Sequence, residues 1–370
     1  MMPKELLLKW FVVCGLVGLG LQTEAAESTN LTPVAVWDAS AEISTAIGYR
    51  NNVLRSSIKN ENSAFFLTAA EASLIRFSDS GALFMLYFFG DDTRYFDAPS
   101  VNYEQLFSGT AHLLKPVGVR DEVGVAANYV YQHQILDASA TEFDLRRILV
   151  LGHSAALRPH WKHLLDSGWE TQVEGAVRRQ VFEHELDDYW ESDGRVSLTR
   201  NYGNRSEISV AYLPLLRFYD ARNQYDSSGN RVPDTDLVYW QNEVGSEWRH
   251  GWNADRSWRT TSRVSYMVNR DNGSGYFDYD RLLFRQQVRW KKENWDIKAT
   301  GRFGWYLYKE QTLINEPRNR SYAILSFRIE RWFGKHWKGY VASEYEWSMS
   351  NDPLDDYQSW MANSGVGYEF

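Results

Sequence analysis

Basic residues recur at regular spacing in the last third of the chain, and they are the first feature able to do chemistry. Arg281, Arg285 and Arg289 occupy one parity of a segment whose other parity is Leu282, Phe284, Gln286, Val288 and Trp290. Arg249, Arg259, Arg263, Lys298, Arg302 and Arg328 fall on the same parity of neighbouring segments, and Glu243, Glu247, Glu330, Glu344 and Glu346 lie beside them. Guanidinium groups pair bidentately with carboxylate or phosphate. Two readings stay open: a basic stripe that lowers the barrier to anions along a pore wall, or a lattice in which Arg and Glu neutralise one another and brace that wall.

Two further clusters could do chemistry. His153-Ser154 would suit nucleophilic catalysis, but no nucleophile motif surrounds the pair, and a histidine beside serine on a strand fits a polar wall better. Glu183-His184-Glu185-Leu186-Asp187-Asp188 has carboxylates flanking a histidine but lacks a second well-placed imidazole, which favours a solvated acidic loop over a metal site. The only cysteine, Cys14, lies in the leader described next, so the mature chain has no disulfide, thiol or Cys-metal chemistry. No cofactor or metal is expected.

The elements that must position these residues follow from composition and period. The chain has 370 residues, 44% hydrophobic, with 16 Trp, 22 Tyr and 18 Phe, yet its mean hydropathy is −0.49. Lys4 and Lys9 precede an apolar run from Trp10 to Leu21, and Thr23-Glu24-Ala25 offers small residues for cleavage, the pattern of a secretory signal over 1–25. Past that run no apolar stretch approaches the ~20 residues of a transmembrane helix. A net charge of −8 on an exported chain argues against nucleic acid as a partner.

After a short periplasmic segment at 26–36, alternating segments begin at Trp37 and continue to Phe370, separated by turn residues. Strands are expected near 37–50, 64–77, 81–90, 102–115, 122–136, 142–157, 165–182, 189–201, 206–219, 236–249, 258–270, 276–290, 295–309, 318–333, 337–350 and 357–370. Compact turns follow the even segments, such as Ser78-Asp79-Ser80 and Gly334-Lys335-His336, and longer polar stretches follow most odd ones. An even count with connections of two kinds predicts an all-β, transmembrane, antiparallel up-and-down barrel of about 16 strands over 37–370, closed because lipid cannot satisfy an open sheet edge. The repeat of roughly 21 residues is longer than the about 8 to 12 of soluble sandwiches. No connection is long enough to dictate an inward-folded loop, so narrowing would come from lumen side chains or from the stretch Asp220 to Thr235.

Trp258, Trp290, Trp295, Trp332, Trp337 and Trp360 sit beside turns or loops, where interfacial girdles belong, and should point outward. The last strand, with Tyr368 and terminal Phe370, looks like the recognition strand of barrels inserted by the outer-membrane assembly machinery.

The opening hairpins carry a family resemblance. Gly48-Tyr49-Arg50-Asn51-Asn52-Val53-Leu54-Arg55-Ser56, then Phe65-Phe66-Leu67, Ser78-Asp79-Ser80-Gly81 and Asp91-Asp92-Thr93-Arg94-Tyr95-Phe96-Asp97 resemble the start of outer-membrane porin barrels associated with exopolysaccharide gene clusters. The residue-level likeness covers about 60 residues, and its motifs are turn and girdle signatures. It implies passage across an outer membrane and a link to saccharides. The expected function is therefore a non-enzymatic outer-membrane channel for small hydrophilic solutes, anionic or saccharide ones among them, in contact with outer-membrane lipid. A structural or export component of an envelope polysaccharide system, or an outer-membrane hydrolase, are the alternatives. Alternation leaves oligomeric state open.

Overall fold

In a computed structural model, residues 37–370 are described apart from 138–146, 167, 184–185, 204, 256 and 314. The expected signal peptide and the segment 26–36 lie outside the described residues, as do His184 and Glu185. Period-two alternation becomes strand throughout: β1 (Trp37–Arg50), β2 (Ser63–Phe77), β3 (Leu83–Tyr95), β4 (Tyr103–Val117), β5 (Asp121–Asp137), β6 (Arg147–Leu164), β7 (Trp169–Phe182) and β8 (Tyr189–Tyr202) form the first half. The second half is β9 (Ser206–Tyr219), β10 (Val238–Gly251), β11 (Trp258–Asp271), β12 (Tyr279–Lys292), β13 (Trp295–Leu313), β14 (Glu316–Phe333), β15 (Trp337–Ser350) and β16 (Tyr357–Glu369). Each strand pairs antiparallel with its sequence neighbours, and β1 closes on β16 from Glu42↔Glu369 to Arg50↔Met361. The protein is a transmembrane antiparallel up-and-down β-barrel, and closure leaves no sheet edge to be satisfied in lipid.

The side-chain period sorts residues between the two faces. Outward positions carry the exposed apolar set, including Ile47, Phe88, Leu157, Val244, Leu282 and Leu307. Side chains of the other parity meet across skipped strands, as when Arg50 on β1 lies 3.4 Å from Glu104 on β4 and Lys338 on β15 lies 2.6 Å from Glu42 on β1. Such contacts are possible only on the concave face. The inner wall is therefore the polar one.

Several boundaries differ from the expectation by four residues or more. β3 continues to Tyr95 rather than ending near 90, and β6 spans Arg147–Leu164 rather than 142–157. β7 begins at Trp169 rather than near 165, and β13 continues to Leu313 rather than ending near 309. β6 runs straight through Pro159. The β6–β7 ladder is interrupted between Leu157↔Val177 and His160↔Glu174, so the missing proline donor falls where no bond is required. Pro214 is accommodated the same way, in the gap of the β8–β9 ladder between Asp193↔Leu215 and Val196↔Tyr212. The connection after β13 differs too, since β13 and β14 pair as far as Leu313↔Glu316 where a longer polar stretch was expected. At the short-turn end Gly118 and Gly334 take φ of 69° and 80°, a backbone conformation that a β-carbon would strain.

The long-loop end is partly roofed. Val53 from the first loop and Ala98 and Val101 from the second pack on the inward-facing Phe65 and Tyr95. Leu237 and Phe277, from the loops at 220–237 and 272–278, pack on Tyr219 and Tyr239. Narrowing thus comes from short loops with one or two apolar anchors as well as from the 220–237 loop. The first loop contains the motif of the family resemblance. Asn52 Nδ2 donates to the carbonyl of Gln358 at 2.9 Å and the Trp360 amide donates to Asn51 Oδ1 at 2.5 Å, so these asparagines tie the loop to β16 beside the closing seam.

Candidate functional site

Register decides which basic side chains share a level. On β11 to β14, Arg259 stands opposite Arg289, Arg289 opposite Lys298, and Lys298 opposite Arg328. Four residues further along the strands, Arg263 stands opposite Arg285 and Arg285 opposite Arg302. These are two rungs of like charge about 13 Å apart at ~3.3 Å rise per residue. Because barrel strands tilt, each rung climbs around the wall. Directly opposed like charges are destabilising, so the fold bears a cost in placing them there.

Partners relieve part of that cost. Glu243 holds two arginines, Arg263 and Arg281, each at 2.9 Å. Arg289 Nε donates to Asp296 Oδ1 at 2.8 Å, Arg328 pairs with Glu330 at 2.5 Å, and Arg249 lies 3.0 Å from both Glu207 and Glu247. Arg259, Arg285, Lys298 and Arg302 have no carboxylate partner among the described residues. Glu344 and Glu346 do not serve the stripe, although they share its parity. Glu344 lies 3.8 Å from Arg50, and Glu346 lies 3.3 Å from Arg55 and accepts from Tyr357 Oη, so both fasten the first loop and the closing seam.

A third level, above the two rungs, was not apparent from the sequence. Arg281 stands opposite Tyr306 and Tyr306 opposite Arg320, with both guanidinium groups about the Tyr306 ring at 6.0 and 5.9 Å. Tyr279 and Tyr308 pack beside it. The inner acids of β2 to β4 were also missed: Glu71 and Asp91 have no basic partner among the described residues. Their strands sit across the ring from β10 to β12. Extending the parity rule to the first half of the chain would have found them.

Of the tryptophans expected in the girdles, all but Trp332 lie on the outer face, at its two ends. Trp258 and Trp290 stand opposite one another with ring centroids 6.3 Å apart. Trp295 lies under the guanidinium of Arg331, and Trp337, Tyr368 and Phe370 stack in sequence, all at the short-turn end. Trp360 is at the other end against Tyr49, 5.5 Å away. Trp332 departs from the expectation. It stands opposite Lys338, whose ammonium lies 5.4 Å from its ring, and it shares the inner parity of Arg328 and Glu330. Closeness to a turn brought it into the expected outward set, whereas period two puts it on the other face.

The catalytic alternative finds no geometry. His153 faces outward, hydrogen-bonded to Tyr129 Oη at 2.7 Å, and adjacent Ser154 faces inward, so the two side chains cannot meet. In the acidic loop, Asp188 is spent on Arg179 and on the Phe182 amide. No group of three or more metal-binding side chains occurs among the described residues.

No protein-family model and no curated protein matches the chain. Among solved structures, OccAB1 of Acinetobacter baumannii is similar at 9% identity and a TM-score of 0.49, over 90% of this chain and 97% of that one. A bacterial polysaccharide outer-membrane secretin is similar at 9% identity and a TM-score of 0.44, over 89% and 97% of the two chains. An anion-selective porin from Comamonas acidovorans is similar at 7% identity and a TM-score of 0.45, over 91% and 100%. Likeness at this level adds nothing to the barrel that the chain itself displays.

Proposed function

We propose that the protein is an outer-membrane channel that passes small hydrophilic solutes, with a preference for anions such as acidic saccharides. The observation that carries this reading is the pair of like-charge rungs in which Arg259, Arg285, Lys298 and Arg302 lack carboxylate partners among the described residues. A brace would pair its charges. A pathway for anions benefits from guanidinium groups left free to exchange water for a passing carboxylate. Sixteen strands enclose enough width for an aqueous channel, and the acids on β2 to β4 make the potential differ across it. Tyr306 between Arg281 and Arg320 adds a ring face of the kind that stacks on sugar rings. Export by a cleaved signal over 1–25 and insertion through the strand ending at Tyr368 and Phe370 belong to the same reading.

Planar bilayer recording of the refolded protein tests it. Discrete conductance steps are expected, with a reversal potential in a salt gradient that favours anions. The preference should fade in 1 M salt, where the screening length falls to about 3 Å. Absence of any step, or cation preference at low salt, would refute the proposal.

A further inference from the structure

The geometry points to a divalent transition-metal site made by His112 and His160 on the inner wall, in the part of the barrel nearest the short turns. Both histidines have inner parity, His112 on β4 and His160 on β6, with β5 between them. Their rings lean together over that strand, with centroids 5.2 Å apart. Gly124, opposite His160 in register, permits the approach. A β-carbon there would meet the imidazole, with Nε2 only 2.7 Å away.

Two observations favour a metal over simple ring stacking. His112 Nε2 is enclosed and has no hydrogen-bond partner, a state that costs free energy unless something fills the coordination position. The spacing also fits. Ring centroids 5.2 Å apart leave the two imidazoles close enough for a single metal, bound about 2.0–2.1 Å from a nitrogen of each, to bridge them. The cations flanking His160 are already engaged, Arg158 by Glu174 at 2.6 Å and Lys162 by Glu170 at 2.9 Å, and Glu122 and Glu174 place negative charge near His112. Two imidazoles with no thiolate select Zn²⁺, Cu²⁺ or Ni²⁺ over Mg²⁺ or Ca²⁺. They leave two positions for water or for an anion in transit.

The test is Cu²⁺ titration of the untagged, refolded full barrel, read by electron paramagnetic resonance, with Zn²⁺ as competitor. The wild type should bind one equivalent with coupling to two nitrogens. His112→Ala and His160→Ala should each leave one nitrogen and weaken binding about tenfold. Gly124→Ala should weaken it with both ligands present, because the new methyl displaces the His160 ring. His153→Ala, on the outer face, should change nothing, and heat-shifted gel mobility shows which variants have folded. Should His160→Ala fail to fold, His160→Gln replaces it. Absence of binding at equimolar metal, or equal binding by the double variant, would overturn the site. The spectrum is independent of conductance, so it stands or falls apart from the channel reading.

Discussion

Two arcs of the inner wall use the same residue type in opposite ways. On β6 to β9, Arg158 lies 2.6 Å from Glu174, while Arg178 and Arg217 both bind Glu191 at 2.9 Å, and Asp193 lies within 4.0 Å of Arg158 and Arg178. On β11 to β14 the register aligns arginine with arginine or lysine, and only some of them find a carboxylate. The difference is one of supply. The first arc interleaves acids at the levels of its arginines, and Arg195 there stands opposite Glu174, whereas the second places its acids mainly at the ends of its rungs. An arginine by itself therefore indicates neither a brace nor a binding group; its cross-strand neighbours decide.

Breaking the braced arc should have the largest effect. Glu191 is 2% exposed and clasps two arginines, so Glu191→Ala leaves Arg217 without its carboxylate and Arg178 with only Asp193, at 4.0 Å. A loss of about 3–5 kcal/mol is expected in urea unfolding from detergent or vesicles, with little change in ion selectivity. The open arc should respond in the reverse sense. The pair Arg285→Glu and Arg302→Glu should lower the anion-to-cation permeability ratio roughly tenfold, about 1.4 kcal/mol, with only a small effect on unfolding. If the two variants exchanged these phenotypes, the distinction between the arcs would be lost.

Glu243→Gln sharpens the contrast within the open arc. It releases Arg263 and Arg281 together, and about a twofold gain in anion preference is expected from reversal potentials. The smallest effect concerns the roof. Burial alone would raise the Glu61 carboxyl, but hydrogen bonds from Lys59 and Ser100 outweigh it and hold the group below its ordinary 4.5. A depressed carboxyl contributes stability above 4.5 and loses it as pH falls through the lower folded value. Acidification below pH 4.5 should therefore loosen the first two loops, seen as noisier steps, and Glu61→Gln should produce the same noise at pH 7.

Much of this was legible because one rule does most of the work. Period two assigns Arg285 to one face and Phe284 to the other without knowledge of any neighbour, and turn chemistry after each even strand sets the count. Trp332 shows the limit of arguing from place alone, since nearness to a turn suggested one face and parity gave the other. Glu344 shows a second limit. Its parity was correct, but its partner is Arg50 on β1, next to the last strand in the closed ring and far away in the sequence.

The sequence by itself determined the sixteen strands, the closure they require and the polar inner wall, because alternation is local and a bilayer admits only edge-free sheets. The tertiary structure decided which charges meet. Stagger between strands fixed Arg285 opposite Arg302, brought His112 and His160 together over Gly124, and let Val53 and Leu237 reach inward. Those pairings depend on register and ring closure, which join residues hundreds of positions apart.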